Sequence, residues 1–189
     1  YRLDRKDDEI WLFYVGTLSF SYDIECVLDA LRLLKERNFS RVVKFVVIGD
    51  GPLKNRFEKC AEDKSVYVEF TGKMSYEKMV GLLCSCDITI NPIKKGSAGS
   101  IINKVGDYAL SGLPVINTQE CEEYRDLIEQ YKCGINCEVG SVKEIANAIE
   151  KLALDKDLRG RMGKRSRELG DERFDRRKTY SAIASLFEN

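Results

Sequence analysis

Residues 10–34 read IWLFYVGTLSFSYDIECVLDALRLL, and three local chemistries follow one another in that stretch. Residues 10–15 are an unbroken apolar run rich in aromatic and branched side chains, which fits a short strand buried on both faces of a parallel sheet. Residues 16–23 bring a glycine, two serines, a threonine and an aspartate, the composition of a loop entering a helix. From there Ile24, Val27, Leu28, Leu31 and Leu34 recur at steps of three and four, so one helical face is apolar and packs on the sheet.

The same alternation runs along the chain. Further strands are expected at 42–48, 66–70, 88–91 and 115–117, with a weaker one at 134–137. Helices are expected at 53–63, 76–85 and 100–111, the last stopped by Gly112 ahead of Pro114, and another along Val142, Ile145, Ala146, Ile149 and Leu152. Repeated βα units predict an α/β fold of Rossmann-like type: an open, mainly parallel, twisted sheet with helices on both faces. Residues 155–177 are dominated by charge and read as surface helices. Tyr180, Ile183, Ala184 and Phe187 again have helical spacing, and that end is expected to dock on something apolar. All 189 residues are expected to form one domain, with the charged residues 1–9 the remnant of an interdomain connection, so that the chain looks cut from something longer.

Composition removes several classes of function. Lys plus Arg and Asp plus Glu each number 31, so no global field gathers nucleic acid. Histidine is absent, which takes away the usual general base of serine and cysteine hydrolases together with the commonest metal ligand. The seven cysteines lack paired zinc-hook spacing and read as reduced, buried thiols suited to a reducing cytoplasm. No apolar run reaches the length of a membrane span. Gly49-Asp50-Gly51-Pro52 starts like a dinucleotide fingerprint, but Lys54 stands where its third glycine would be, and no Walker A loop occurs.

A doubly wound sheet binds ligands beyond the carboxyl ends of its strands, where the strand order reverses, normally between the first and fourth strands. The two loops there are residues 16–23 and 91–100, both rich in small residues and both entering helices, as an anion cradle requires. Lys94, Lys95 and Lys104 add cations to the second loop. On the helix that follows, Ser100, Asn103 or Lys104, Asp107 and Ser111 form a polar stripe beside Ile101, Val105 and Tyr108. Asp107 is placed to accept hydrogen bonds from the two adjacent hydroxyls of a ribose.

Four stretches carry a family resemblance: Gly16-Thr17-Leu18-Ser19 with Ser21-Tyr22-Asp23; residues 47–53; Phe70-Thr71-Gly72-Lys73; and Asn103-Lys104-x-x-Asp107-Tyr108 running to Gly112-Leu113-Pro114-Val115-Ile116. In order and spacing the chain resembles the C-terminal, donor-binding half of group 1 glycosyltransferases, retaining enzymes of the GT-B type also called family 4. The resemblance implies that Gly16, Thr17, Leu18 and Ser19 lie beside the donor phosphates and sugar. It sets Gly72, Lys73 and Met74 near the nucleobase, and Gly99, Ser100, Ile101, Asn103, Lys104 and Asp107 along the rest of the donor.

Asp107 takes the place of the second acid of the family's E-x7-E motif, the ribose-binding one. The first acid falls on Gly99. The basic pair often found after the first strand is absent, with Thr17, Ser19 and Tyr22 in that region, and Lys104 is the substitute candidate for charge on the diphosphate. The resemblance further implies transfer of a sugar from a nucleotide-diphosphate donor to a hydroxyl without a metal or other cofactor. It implies a missing N-terminal acceptor domain that brings the remaining catalytic groups, and a fragment inert by itself. It also implies a cytoplasmic enzyme of polysaccharide or glycolipid synthesis that meets a lipid-linked or saccharide acceptor at the inner membrane face. Another GT-B half, such as that of a sugar-nucleotide epimerase, and a non-catalytic interaction module remain as alternatives.

Overall fold

In the computed structural model, which describes residues 5, 6 and 8–175, the chain begins with β1 (Glu9–Val15) and α1 (Ile24–Glu36). There follow β2 (Val42–Ile48), α2 (Lys54–Asp63), β3 (Val68–Gly72), α3 (Tyr76–Leu83), β4 (Ile88–Asn91) and α4 (Lys104–Leu110). The rest is β5 (Val115–Asn117), α5 (Glu122–Tyr131), β6 (Gly134–Asn136), α6 (Val142–Leu154), α7 (Lys156–Leu169) and a π-helical turn, Gly170–Phe174. The strands form one parallel sheet in the order β3-β2-β1-β4-β5-β6. This is the Rossmann order, and it reverses between β1 and β4.

The pleat sends alternate residues of β1 to opposite faces. Ile10, Leu12 and Tyr14 join the core under α1, α2 and α6, whereas Trp11 and Phe13 join the one under α3, α4 and α5. The stripe of α1 is buried as its spacing requires, from Ile24 through Val27, Leu28 and Leu31 to Leu34. Each such side chain contributes about 1.5–3 kcal/mol when fully removed from water. Among the described residues no helix is long and apolar enough to cross a membrane.

Several expected boundaries move. The third strand runs two residues later than its apolar run, and a register shift against β2 at Val47/Ile48 carries its pairing on to Gly72. The last strand ends at Asn136. Helix α4 starts at Lys104 instead of residue 100, for a reason that lies in another loop: the Gln119 side chain donates to Ser100 O at 2.6 Å. That carbonyl is the acceptor Lys104 N–H would need in a longer helix. Helix α5 was not anticipated, although Tyr124, Leu127, Ile128 and Tyr131 have helical spacing and the first three are buried.

The tail is also more than surface. Along α7, Gly163, Ser166 and Leu169 are buried, and a Cβ on Gly163 would run into the Gly112 carbonyl in the turn between α4 and β5. The glycine therefore allows helix and turn to touch through their backbones. The apolar stripe from Tyr180 to Phe187, and most of the expected linker remnant 1–9, lie outside the described residues.

Candidate functional site at the strand-order reversal

The loops leaving β1, β2 and β4 are stitched together at the carboxyl edge of the sheet. Asp23 N–H donates to Pro92 O at 2.9 Å, Lys94 N–H to Ser21 O at 3.0 Å, and Tyr22 pairs with Ile93 as an isolated antiparallel bridge. On the other side Gly49, at φ +136°, lies so close to the Gly16 carbonyl that any Cβ there would collide with it. Only glycine meets both conditions at once.

This stitching alters the expected anion cradle. The N–H groups of Gly16, Leu18, Ser19, Tyr22 and Asp23 all donate to carbonyls of the protein, namely those of Ile48, Asp50, Thr17, Ser19 and Pro92. An anion at this loop therefore has to be held mainly by something other than these amides. Leu18 is fully buried, and its carbonyl accepts from Leu53 N–H, so its role is structural. Thr17 is exposed and Ser19 half-buried.

The basic side chain nearest this loop is Lys104. From the first turn of α4 its Nζ reaches beneath the glycine loop, 4.2 Å from the ring centre of Tyr14 and 4.0 Å from that of Tyr22. The two rings meet edge to face, 5.5 Å apart. A Cβ on Gly16 would stand 3.4 Å from this Nζ and 2.7 Å from Tyr14 Oη. Lys104 Nζ is buried and has no hydrogen-bond partner among the described residues. Burial pushes its pKa well below the ordinary lysine range. A desolvated cation–ring contact returns about 2 kcal/mol, less than the several kcal/mol per ion that removal from water takes away, so burial governs. Lys104 thus points inward, to the Gly16 loop, and not along the polar stripe that its spacing with Asp107 suggested.

Asp107 lies one turn further along α4, and its Oδ1 accepts a 2.8 Å hydrogen bond from the Tyr76 hydroxyl at the start of α3. Tyr76 lines two cavities. One, about 420 Å³, is bordered by Gly16, Thr17, Lys73, Met74 and Met79. The other, about 700 Å³, is bordered by Ile101, Asn103, Gly106, Asp107 and Phe174. Gly16, Thr17, Lys73 and Met74 of the expected donor residues therefore line one hollow and Ile101, Asn103 and Asp107 the other, with Tyr76 common to both, a role its sequence position did not announce; Lys104 and the rest line neither. Gly72, at φ +72°, turns the chain out of β3. Gly99 and Ser100 are exposed at the loop's outer edge, Lys94 is half-buried and Lys95 is exposed.

A buried amide ladder fixes the loop after β4. Asn91 Nδ2 donates to Asn117 Oδ1 and to Gln119 Oε1, both at 3.0 Å, and Asn117 Nδ2 donates to Asn136 Oδ1 at 3.0 Å. Gln119 in turn holds Ser100 O. Of the ladder's buried side-chain atoms only Asn91 Oδ1 is left without a hydrogen-bond partner among the described residues, and the remaining buried amide bonds tie the loop to one path. Elsewhere, Asp155-Lys156-Asp157 has D-x-D spacing, but Asp155 accepts from Leu158 N–H at 2.7 Å as the N-cap of α7 and belongs to that helix end.

The described residues thus form a Rossmann-ordered parallel sheet with a lysine buried under its first glycine loop. The family model described as glycosyl transferases group 1 matches residues 2–169, and the chain belongs to that family. It is 24% identical over 183 residues to the alpha-D-kanosaminyltransferase of Streptomyces kanamyceticus, covering 96% of this chain and 46% of that one. It is 28% identical over 131 residues to a GDP-mannose-dependent alpha-(1-6)-phosphatidylinositol monomannoside mannosyltransferase of Mycobacterium tuberculosis, covering 65% of this chain and 33% of the relative. The chain thus spans less than half the length of these curated relatives. Among solved structures, Anabaena Alr3699/HepE in complex with UDP aligns with a TM-score of 0.78 at 17% identity, over 96% of this chain and 49% of that one. WaaG, a glycosyltransferase of lipopolysaccharide biosynthesis, aligns at 0.74 with 22% identity, over 89% and 44%. These neighbours are GT-B glycosyltransferases, and the sheet described above is the C-terminal-like half of that fold.

Proposed function

We propose that this chain is the donor-binding half of a retaining glycosyltransferase and holds a nucleoside-diphosphate sugar across the β1/β4 reversal. The observation that carries the reading is Lys104: a buried Nζ without a hydrogen-bond partner among the described residues, beneath a glycine loop at the reversal point of a group 1 sheet. Diphosphate oxygens above Gly16 would give that nitrogen its acceptors. Asp107 would take the ribose hydroxyls, sharing its carboxylate with Tyr76 or releasing it, and the base would lie along Gly72, Lys73 and Met74. Relatives whose names specify GDP-mannose, and neighbours solved with UDP, support a nucleotide donor of this kind.

The chemical contribution of this half is to stabilise the departing diphosphate with a positioned cation. A second domain would bring the acceptor hydroxyl and close the cleft over it, so the 189-residue chain binds donor without transferring sugar. The acceptor would be a saccharide or lipid-linked saccharide at the cytoplasmic membrane face. Calorimetric titration with UDP, GDP, uridine and guanosine tests the site. Lys104→Met should weaken the diphosphate at least tenfold and the nucleoside hardly at all, since only the former carries the charges in question. Equal losses for both ligands would place Lys104 elsewhere. The absence of binding by either diphosphate at millimolar concentration would refute the donor-domain reading.

A further inference from the structure

Building on the donor-site reading, we propose that the diphosphate enters this site together with a proton, which Lys104 takes from the solvent as it meets the phosphate oxygens. The free protein holds the amine in surroundings that suit the neutral form. Its Nζ is enclosed, contacts the two phenol rings, and has no acceptor among the described residues.

The groups around it do not supply a counter-charge. From β1 comes Tyr14, whose hydroxyl donates to Thr17 O at 3.1 Å, and from the following loop Tyr22. From its own helix comes Tyr108, whose hydroxyl accepts from Val15 N–H at 3.1 Å. Burial raises the pKa of all three phenols, so they stay neutral. Asp107 is engaged by Tyr76. At the start of α1 stand Asp23 and Glu25, the latter paired with Arg56. The loop after β4 carries Lys94 and Lys95, neither of which is a counter-charge. Burial is what lowers Lys104, with no carboxylate to offset it.

A diphosphate changes that balance. It brings negative oxygens into the same low-dielectric pocket, where the charged form of the amine is favoured. The nitrogen lone pair takes one proton from the buffer, one N–H bond forms, and no other bond changes. Lys104 is thus neutral while the site is empty and an ammonium once the diphosphate is bound, so the charge is in place when the diphosphate departs from the sugar. The sign follows from linkage: the complex binds more protons than the free protein between the two pKa values, so affinity falls as pH rises through that interval.

The experiment is calorimetry of UDP and of GDP with the protein at pH 7.5, 8.25 and 9, above the range in which the terminal phosphate of the ligand itself titrates. It is repeated in buffers of different ionisation enthalpy. For the nucleotide that binds, the expected result is uptake approaching one proton and a Kd that rises up to tenfold per pH unit. Lys104→Arg, whose guanidinium stays charged, should bind with no uptake and a flat profile. Lysine Cε chemical shifts, followed by NMR with and without nucleotide, give the charge state directly should the arginine variant fail to fold. Binding without proton uptake, an equal slope in both proteins, or a Lys104 signal already charged in the free state would overturn the proposal while leaving the donor site intact. No binding at all would instead remove the donor-site reading beneath it.

Discussion

A buried amine without an acceptor is a burden on the fold, and its removal should show this. Replacing Lys104 with the similarly shaped Met deletes an unsatisfied polar atom, and stability at pH 7 should rise by about 1–3 kcal/mol. The pH dependence has a definite sign. The folded pKa lies below the unfolded value of about 10.5, so the unfolded chain binds more protons between the two, and the wild type recovers stability as pH climbs toward 10.5. The advantage of Lys104→Met in urea unfolding should therefore shrink between pH 7 and 10; a constant gap would mean that the amine is charged in the folded state. Such a gain in stability at the expense of binding is common at functional sites. At Gly99 the circumstances are reversed. The residue is exposed, and a Cβ would meet nothing within 4 Å, so Gly99→Glu should change stability by no more than about 0.5 kcal/mol. Because it returns a carboxylate to the family's first acidic position, it should raise the preference for a nucleotide sugar over the bare diphosphate in calorimetry. An unchanged ratio would separate residue 99 from the sugar.

Among the elements, α7 shows how one glycine sets a packing distance. Two effects oppose each other in Gly163→Ala. Alanine is favoured over glycine inside a helix by about 1 kcal/mol, whereas the added Cβ runs into the Gly112 carbonyl, a backbone atom that cannot rotate away. Overpacking of this kind costs about 1–3 kcal/mol, so the clash should win and the variant should be less stable in chemical denaturation. A net stabilisation would show that α7 can lift from the α4–β5 turn without loss. The amide ladder acts on the same scale: Asn91, Asn117 and Gln119 come from two strand ends, and together they decide where a third element, α4, begins.

For the whole molecule, the seven cysteines report on how closed the fold is. Cys26, Cys86, Cys121, Cys133 and Cys137 are buried, Cys60 is half-buried and Cys84 is exposed, so the expectation of uniformly buried thiols holds for five of them. Burial pushes Cys26 and Cys137 up to about 12 and Cys133 up to about 11. A thiol-disulfide reagent at pH 8 should modify one thiol, Cys84, rapidly and the buried five only on unfolding. Three or more fast equivalents would contradict the closed core. The sheet and its main crossovers were legible because strand and helix patterns are local: the apolar run 10–15 and the stripe from Ile24 to Leu34 each imprint their own period within a few residues. The same holds for the two loops at the strand-order reversal, since that follows from the βα alternation. By itself, then, the sequence determined the fold class, the strand-order reversal and the residue types gathered there. The tertiary structure decided what those residues face. Lys104 stood in a polar stripe until Tyr14 and Tyr22, some 80–90 positions earlier, closed over it. Helix α4 lost its expected first turn to a glutamine after the next strand, and the amides of Gly16, Leu18 and Asp23 were taken by carbonyls of β2, the loop after it and the loop after β4. Each of these depends on a partner remote in sequence, and burial and hydrogen bonding across such distances leave no periodic trace in the chain.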